Sequence, residues 1–122
     1  MSAQILYAKE TGKELSFGSL NDTINMTDFL NETVGNLFIE KKYYEEEDEI
    51  SYRVIEYKDI KKLAKSVRES EEILLDELKT VRGNEKRTEL VLKMKDLSLL
   101  KQVIIMALLQ EGDNNTKVLA LL

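Results

Sequence analysis

The chain has 122 residues, enough for one domain with a core of its own. It contains no histidine and no cysteine, which excludes the Ser-His-Asp and Cys-His catalytic machines, thiol chemistry and soft-metal sites. Lysine and arginine number 18 against 23 acidic residues, and the net charge of −5 disfavours general attraction to nucleic acid or to an anionic membrane.

Residue usage favours a cytoplasmic protein. Without cysteine there is no disulfide framework, which suits a reducing compartment. The amino-terminal residues lack the basic stretch and apolar run of a signal peptide. The longest apolar segment, 97–109, is interrupted by Ser98, Lys101 and Gln102, and it is shorter than the roughly 20 apolar residues that a membrane-spanning helix needs. We therefore expect a cytoplasmic protein with no membrane association.

Charge and hydrophobic period both change near Tyr57. Residues 1–57 carry five basic and twelve acidic side chains, whereas residues 58–122 carry thirteen and eleven. Apolar residues alternate with polar ones before this point and recur at the helical period after it. We expect one domain of the α+β class, with a small antiparallel sheet of two hairpins and a short helix packed on a long antiparallel helical hairpin. Its parts are an acidic, mainly β region at 1–57, the helical hairpin at 58–112 and a tail at 113–122.

Two β-hairpins are predicted in the first half. Residues 4–9 and 13–17 flank a Glu-Thr-Gly sequence, which is typical of a short turn. Residues 37–44 and 50–57 alternate apolar and polar side chains and are rich in branched and aromatic residues, as strands are. The five acids at 45–49 between them are expected to form an exposed turn.

Three helices are predicted. A short one spans Asp28 to Val34, with Thr27 as its amino-terminal cap. From Asp59 to Val81, apolar residues recur on one stripe over about six turns. Gly83 then ends this helix, and the next one runs to about Glu111. The short break at Gly83 predicts that the two long helices lie antiparallel.

The last helix has two apolar faces. At 100° per residue, one face holds Leu90, Met94, Leu97, Ile104 and Leu108. The nearly opposite face holds Leu92, Leu99, Val103 and Met106. The preceding helix has only one apolar stripe, so it covers one face and leaves the other. Either the sheet covers the second face and closes an α+β monomer, or another copy or a different protein does.

The carboxy-terminal tail adds unassigned apolar surface at 118–122. It fits an extra strand, a helical turn packed on the domain, or a short linear peptide that docks elsewhere.

A basic patch lies on the solvent side of the first long helix, formed by Lys58, Lys61, Lys62, Lys65 and Arg68. These cations crowd the amino-terminal half of the helix, where the dipole disfavours positive charge, and the acids come later. Three interpretations stay open: a solvated or internally paired surface, in which the acidic turn 45–49 sits against the patch; an acidic protein partner; and a phosphate or nucleic acid ligand.

No catalytic, cofactor or metal site is predicted. The five glycines are scattered singly, so no phosphate-cradling loop is present, and the acidic run lacks the spacing and central glycine of a calcium-binding loop. The carboxylates lie on helix exteriors or in an exposed turn, where burial is not expected to tune a pKa. The exception is Glu71, which interrupts the apolar stripe of the first long helix, and a position at the edge of that stripe explains it.

The sequence thus favours a non-catalytic protein-binding or assembly factor that forms a homo-oligomer through the last helix. Small acidic accessory proteins of phages and mobile elements share such compositions. The alternative is an acidic inhibitor or regulator of a nucleic-acid-handling protein, acting by mimicry of DNA phosphates or through the basic patch.

Overall fold

The computed structural model describes residues 3–122, apart from the side chain of Leu20. It has the predicted α+β architecture. The strands are β1 Gln4–Thr11, β2 Glu14–Phe17, β3 Ile24–Asn25, β4 Ile39–Glu45, β5 Asp48–Glu56 and β6 Lys117–Leu121. The α-helices are α1 Asp28–Val34, α2 Ile60–Thr80 and α3 Asn84–Leu109, and short 3-10 turns lie at Leu20–Asp22, Gly35–Leu37, Tyr57–Asp59 and Asn114–Thr116.

Both predicted hairpins are present. The turn between β1 and β2 places Gly12 at φ 63°, a left-handed conformation that glycine adopts without steric cost. The β4–β5 hairpin is tighter than predicted because its strands continue into the acidic run. Glu45 pairs with Asp48, so only Glu46 and Glu47 remain in the loop, and Glu46 has a positive φ of 58°.

The tail forms the central strand of the sheet. β6 pairs antiparallel with β1 on one side and with β5 on the other, which gives the order β2-β1-β6-β5-β4. The short β3 pairs with the start of β1, beside β2 on the same edge. Of the three alternatives for the tail, the extra strand is correct, and the sheet is therefore larger than two hairpins.

The helices have nearly the bounds that the sequence predicts. α1 has the predicted bounds, and the Thr27 hydroxyl accepts a hydrogen bond from the Leu30 amide at 3.3 Å. Gly83, at φ 92°, makes the turn between α2 and α3. Among residues 3–122, no helix is long and apolar enough to cross a membrane.

The sheet separates two cores. All three α-helices pack on one face, where Ile5, Ile55 and Leu119 meet Leu63 and Leu100. On the other face, Leu6, Ala8, Val54, Val118 and Ala120 are buried although no helix contributes to their cluster.

The second core is buried because the sheet curls until its edge strands approach. The amide of Tyr44 in β4 donates a hydrogen bond of 2.6 Å to the carbonyl of Lys13, next to β2. The rings of Phe17 in β2 and Tyr52 in β5 meet edge-on, with centroids 5.2 Å apart. The sheet thus forms a partly closed barrel with its own apolar filling and needs a helical layer only on the outside.

The central position of β6 predicts a large loss of stability when its side chains are truncated. Leu119→Ala should lower the free energy of unfolding by about 2–5 kcal/mol, because Leu119 is fully buried and a cavity would remain. Leu122→Ala, at a half-exposed position beyond the strand, is the matched control and should cost less than about 1 kcal/mol. Urea unfolding followed by circular dichroism measures both, and equal losses would contradict the central role of the strand.

Candidate functional site

The predicted second face of α3 is divided between the core and the solvent. Val103 is only 4% exposed and belongs to the main core, facing the sheet, so it is not available to a partner in this conformation. Leu99 and Met106 are half-buried, whereas Leu92, near the hairpin tip, is 56% exposed. The sheet reaches only the carboxy-terminal half of α3, and the four residues therefore do not form one exposed surface.

A different face of the helical hairpin is exposed and apolar. Ile105 points about 160° away from Val103 around α3, and Leu75 holds the corresponding position on α2. We call this side, opposite the sheet, the outer face. Its large apolar side chains are 44–53% exposed: Leu75, Val91, Ile105 and Leu108.

A groove of about 320 Å³ runs between α2 and α3 on the outer face. Its apolar lining is Ala64, Val67, Ile104 and Ile105. An ion pair from Glu71 to Lys101, with N···O 3.1 Å, spans it and joins the two helices. The carboxylate on the apolar stripe of α2 is therefore explained by a partner on α3. Arg68 also lines the groove and makes no ion pair within residues 3–122.

The basic patch is exposed and does not meet the acidic turn. Lys58, Lys62 and Lys65 pair with acids close by in sequence: Glu56 at 3.7 Å, Asp59 at 3.5 Å and Glu69 at 3.9 Å. Lys61 and Arg68 pair with no described carboxylate. Within residues 3–122, the ion pair made by the acidic run 45–49 is Glu49 with Lys42 at 3.1 Å. Internal pairing of turn and patch is thus not observed.

A second polar cluster lies where β1, β4 and β5 converge. The ammonium group of Lys41 contacts Glu10 at 2.8 Å and Glu56 at 3.4 Å, and the hydroxyl of Tyr43 donates to the same Glu10 oxygen as Lys41. Sequence reasoning missed this cluster because its members are far apart in the chain. Their common orientation into the curl follows only from the strand register.

The surroundings of this cluster raise the pKa of both of its proton donors, Lys41 and Tyr43. Burial alone would lower the pKa of Lys41, but the hydrogen bond and charge of Glu10, with Glu56, raise it above 10.5. Burial, followed by the hydrogen bond and charge of Glu10 and the charge of Glu56, raises the pKa of Tyr43 well above 10.0. A general base or amine nucleophile needs a lowered pKa, so both shifts run against acid–base chemistry near neutral pH.

These shifts predict alkaline sensitivity. A group whose pKa is higher in the folded state than in the unfolded state keeps its full contribution to stability below the unfolded pKa, and loses it as pH rises toward the folded value. The free energy of unfolding should therefore fall above about pH 10, where unfolded tyrosine and then lysine lose their protons.

Tyr43→Phe should make this alkaline decline shallower, although not flat, because burial and then Glu45 also raise the pKa of Tyr52. The control is Tyr44→Phe, at the neighbouring, exposed position of β4. Urea titrations between about pH 8 and pH 11 measure the slope. Identical slopes for both variants would refute the role of Tyr43.

No group of three or more acidic side chains among residues 3–122 is arranged to hold a metal ion. Comparisons with protein-family models, with curated proteins and with solved structures found no match to this chain.

Proposed function

We propose that this chain is a non-catalytic interaction and assembly protein that forms a homodimer through the outer face of its α2–α3 hairpin. The observation that carries the proposal is the row of four large apolar side chains, about half exposed, on a face that no element within residues 3–122 covers. Full burial of such a side chain from water is worth roughly 1.5–3 kcal/mol, and about half of that is still to be gained for each, because each is already about half buried.

The charge order of α2 supports a second copy of the chain as the occupant. One flank of α2, at the helical spacing of four, three, four and four residues, carries Lys61, Lys65, Arg68, Glu72 and Asp76. Three cations are thus followed by two carboxylates along one stripe, and Lys79 at its end pairs with Asp76 at 3.8 Å. This stripe borders the outer face, because Arg68 also lines the groove.

Two such stripes attract each other in one orientation. When two α2 helices lie antiparallel, the basic half of each faces the acidic half of the other, whereas a parallel pair would place like charges together. An antiparallel pair related by a two-fold axis has the symmetry of the commonest homodimers. Arg68 would then gain a carboxylate from the partner copy. The apolar face supplies affinity and the charge order fixes the orientation.

The apolar part of this proposal is tested with Ile105→Glu, which should convert a dimer into a monomer by placing a charge in the buried face. Ile73→Glu is the matched control, because Ile73 is 59% exposed but lies on the far side of α2 from Leu75. Light scattering after size exclusion measures the mass, and circular dichroism checks that both variants fold.

The outcome also separates the outer face from the face predicted by sequence. If Leu92→Glu dissociates the dimer and Ile105→Glu does not, association uses the tip near Leu92 and the outer face is wrong. If the unmodified chain is a monomer at high micromolar concentration, self-association itself is wrong.

The orientation is tested by exchanging charges. A basic-reversed variant carries Lys61→Glu, Lys65→Glu and Arg68→Glu, and an acid-reversed variant carries Glu72→Lys and Asp76→Lys. Each alone should dimerise at least about tenfold more weakly, because each presents a stripe of one sign. The two variants mixed should form a heterodimer, detected by native mass spectrometry, with an affinity that falls as salt rises. Unchanged dimerisation of both variants alone, or no heterodimer in the mixture, would refute the antiparallel arrangement.

A further inference from the structure

A second surface lies at the opening of the curled sheet, between the edges of β2 and β4. A cavity of about 220 Å³ is present there, and four aromatic residues line it: Phe17, Tyr43, Tyr44 and Tyr52. Its volume is below the range typical of drug-sized ligand pockets and suits a small chemical group. We call it the aromatic cavity.

The rings stand at angles to one another. Phe17 meets Tyr52 nearly edge-on, at an interplanar angle of 74°, and Tyr43 is tilted 48° from Tyr52 with centroids 6.2 Å apart. The rings are thus in contact with one another without forming a parallel stack. Phe17 and Tyr44 are each more than a third exposed, so the cavity is open to a ligand.

Acidic residues lie around the cavity. Glu14, Glu45 and Glu46 complete the lining, and the rest of the acidic loop follows directly. Ring faces carry negative partial charge and attract cations. One such contact already exists inside the chain, since the ammonium group of Lys13 lies 5.3 Å from the centre of the Tyr44 ring.

We propose that the aromatic cavity binds an organic cation of the quaternary ammonium type. The rings of Phe17 and Tyr52 would contact the cation on one side, and the carboxylates of Glu45 and Glu46 would contact it on the other. A weakly hydrated cation is favoured because a primary ammonium group is strongly hydrated and loses more hydration free energy when it binds against aromatic rings. The same trimethylammonium chemistry occurs on a free small molecule such as choline and on a trimethylated lysine of a peptide. This site is independent of the dimer face.

The experiment is a titration with choline, with its uncharged isostere 3,3-dimethylbutan-1-ol, and with a short peptide that contains trimethyllysine. The chain has five tyrosines and no tryptophan, so tyrosine fluorescence and aromatic NMR shifts report on the cavity. We expect both cations to shift the Tyr44 and Tyr52 signals, and the neutral alcohol to bind roughly tenfold more weakly or not at all. Tighter binding of the peptide than of choline identifies a peptide source, and equal binding identifies the free cation.

Two pairs of variants separate the ring and charge contributions. Phe17→Leu keeps an apolar side chain but removes the ring, and should weaken choline binding roughly tenfold, whereas Phe29→Leu, in α1 and outside the cavity lining, should not. Glu45→Gln should weaken binding and reduce its salt dependence, whereas Glu40→Gln, on the same strand but not lining the cavity, should change neither.

The proposal is overturned if the neutral alcohol binds as tightly as choline, if Phe17→Leu binds as well as the unmodified chain, or if neither choline nor the trimethyllysine peptide binds. A retained circular dichroism spectrum shows for each variant that lost binding is not lost folding.

Discussion

The pairing of β6 on both of its edges is the constraint on which the rest of the structure depends. It joins β1 from the beginning of the chain to β5 from the middle, and neither strand meets the other directly. Its side chains alternate between the two cores, with Leu119 facing the helices and Val118 and Ala120 inside the curl. The cost of closing such long loops is offset by hydrogen bonds on two edges and burial on two faces.

The curl that β6 completes determines which surfaces remain open. Because the sheet fills its inner face with its own residues, it needs helices only on the outside, and one layer suffices. α2 and α3 therefore lie side by side over the sheet, and the side of the helical hairpin away from the sheet has no neighbour within residues 3–122. The same curl brings β2 and β4 together and creates the aromatic cavity. Both candidate surfaces thus result from one feature of the sheet.

Local features of this fold could be predicted from sequence, and long-range ones could not. Thr27 before Asp28 fixed the start of α1, because a cap and its helix are adjacent in the chain. The tail was ambiguous because five apolar residues suit a buried strand or a helical turn equally, and only the free edges of β1 and β5 decide.

The assignment of faces on α3 failed in part for the same reason. The period showed that two sides are apolar, but it gave no information on how far along the helix the sheet would reach. Val103 is consequently buried and Leu92 exposed, although both lie on one predicted face. The outer face was missed for two reasons. Ile105 belongs to neither predicted face of α3, and Leu75 and Leu108 lie on the apolar surfaces that the two long helices were expected to bury against each other.

The charge order of α2 is difficult to explain by the stability of a single chain. Cations near a helix amino terminus and acids near its carboxy terminus each oppose the dipole, typically by 0.3–1 kcal/mol close to an end. Asp59 and Glu56 offset part of this cost for Lys62 and Lys58, but Lys61 and Arg68 lack such partners within residues 3–122. The acidic run 45–49 lies at the tip of the β4–β5 hairpin, and its ion pair is the one from Glu49 to Lys42. The last turn is compensated, because Lys79 pairs there with Asp76 at 3.8 Å, so the uncompensated cost lies in the first half of the helix. The proposed pairing of α2 with a reversed copy would place carboxylates beside those cations.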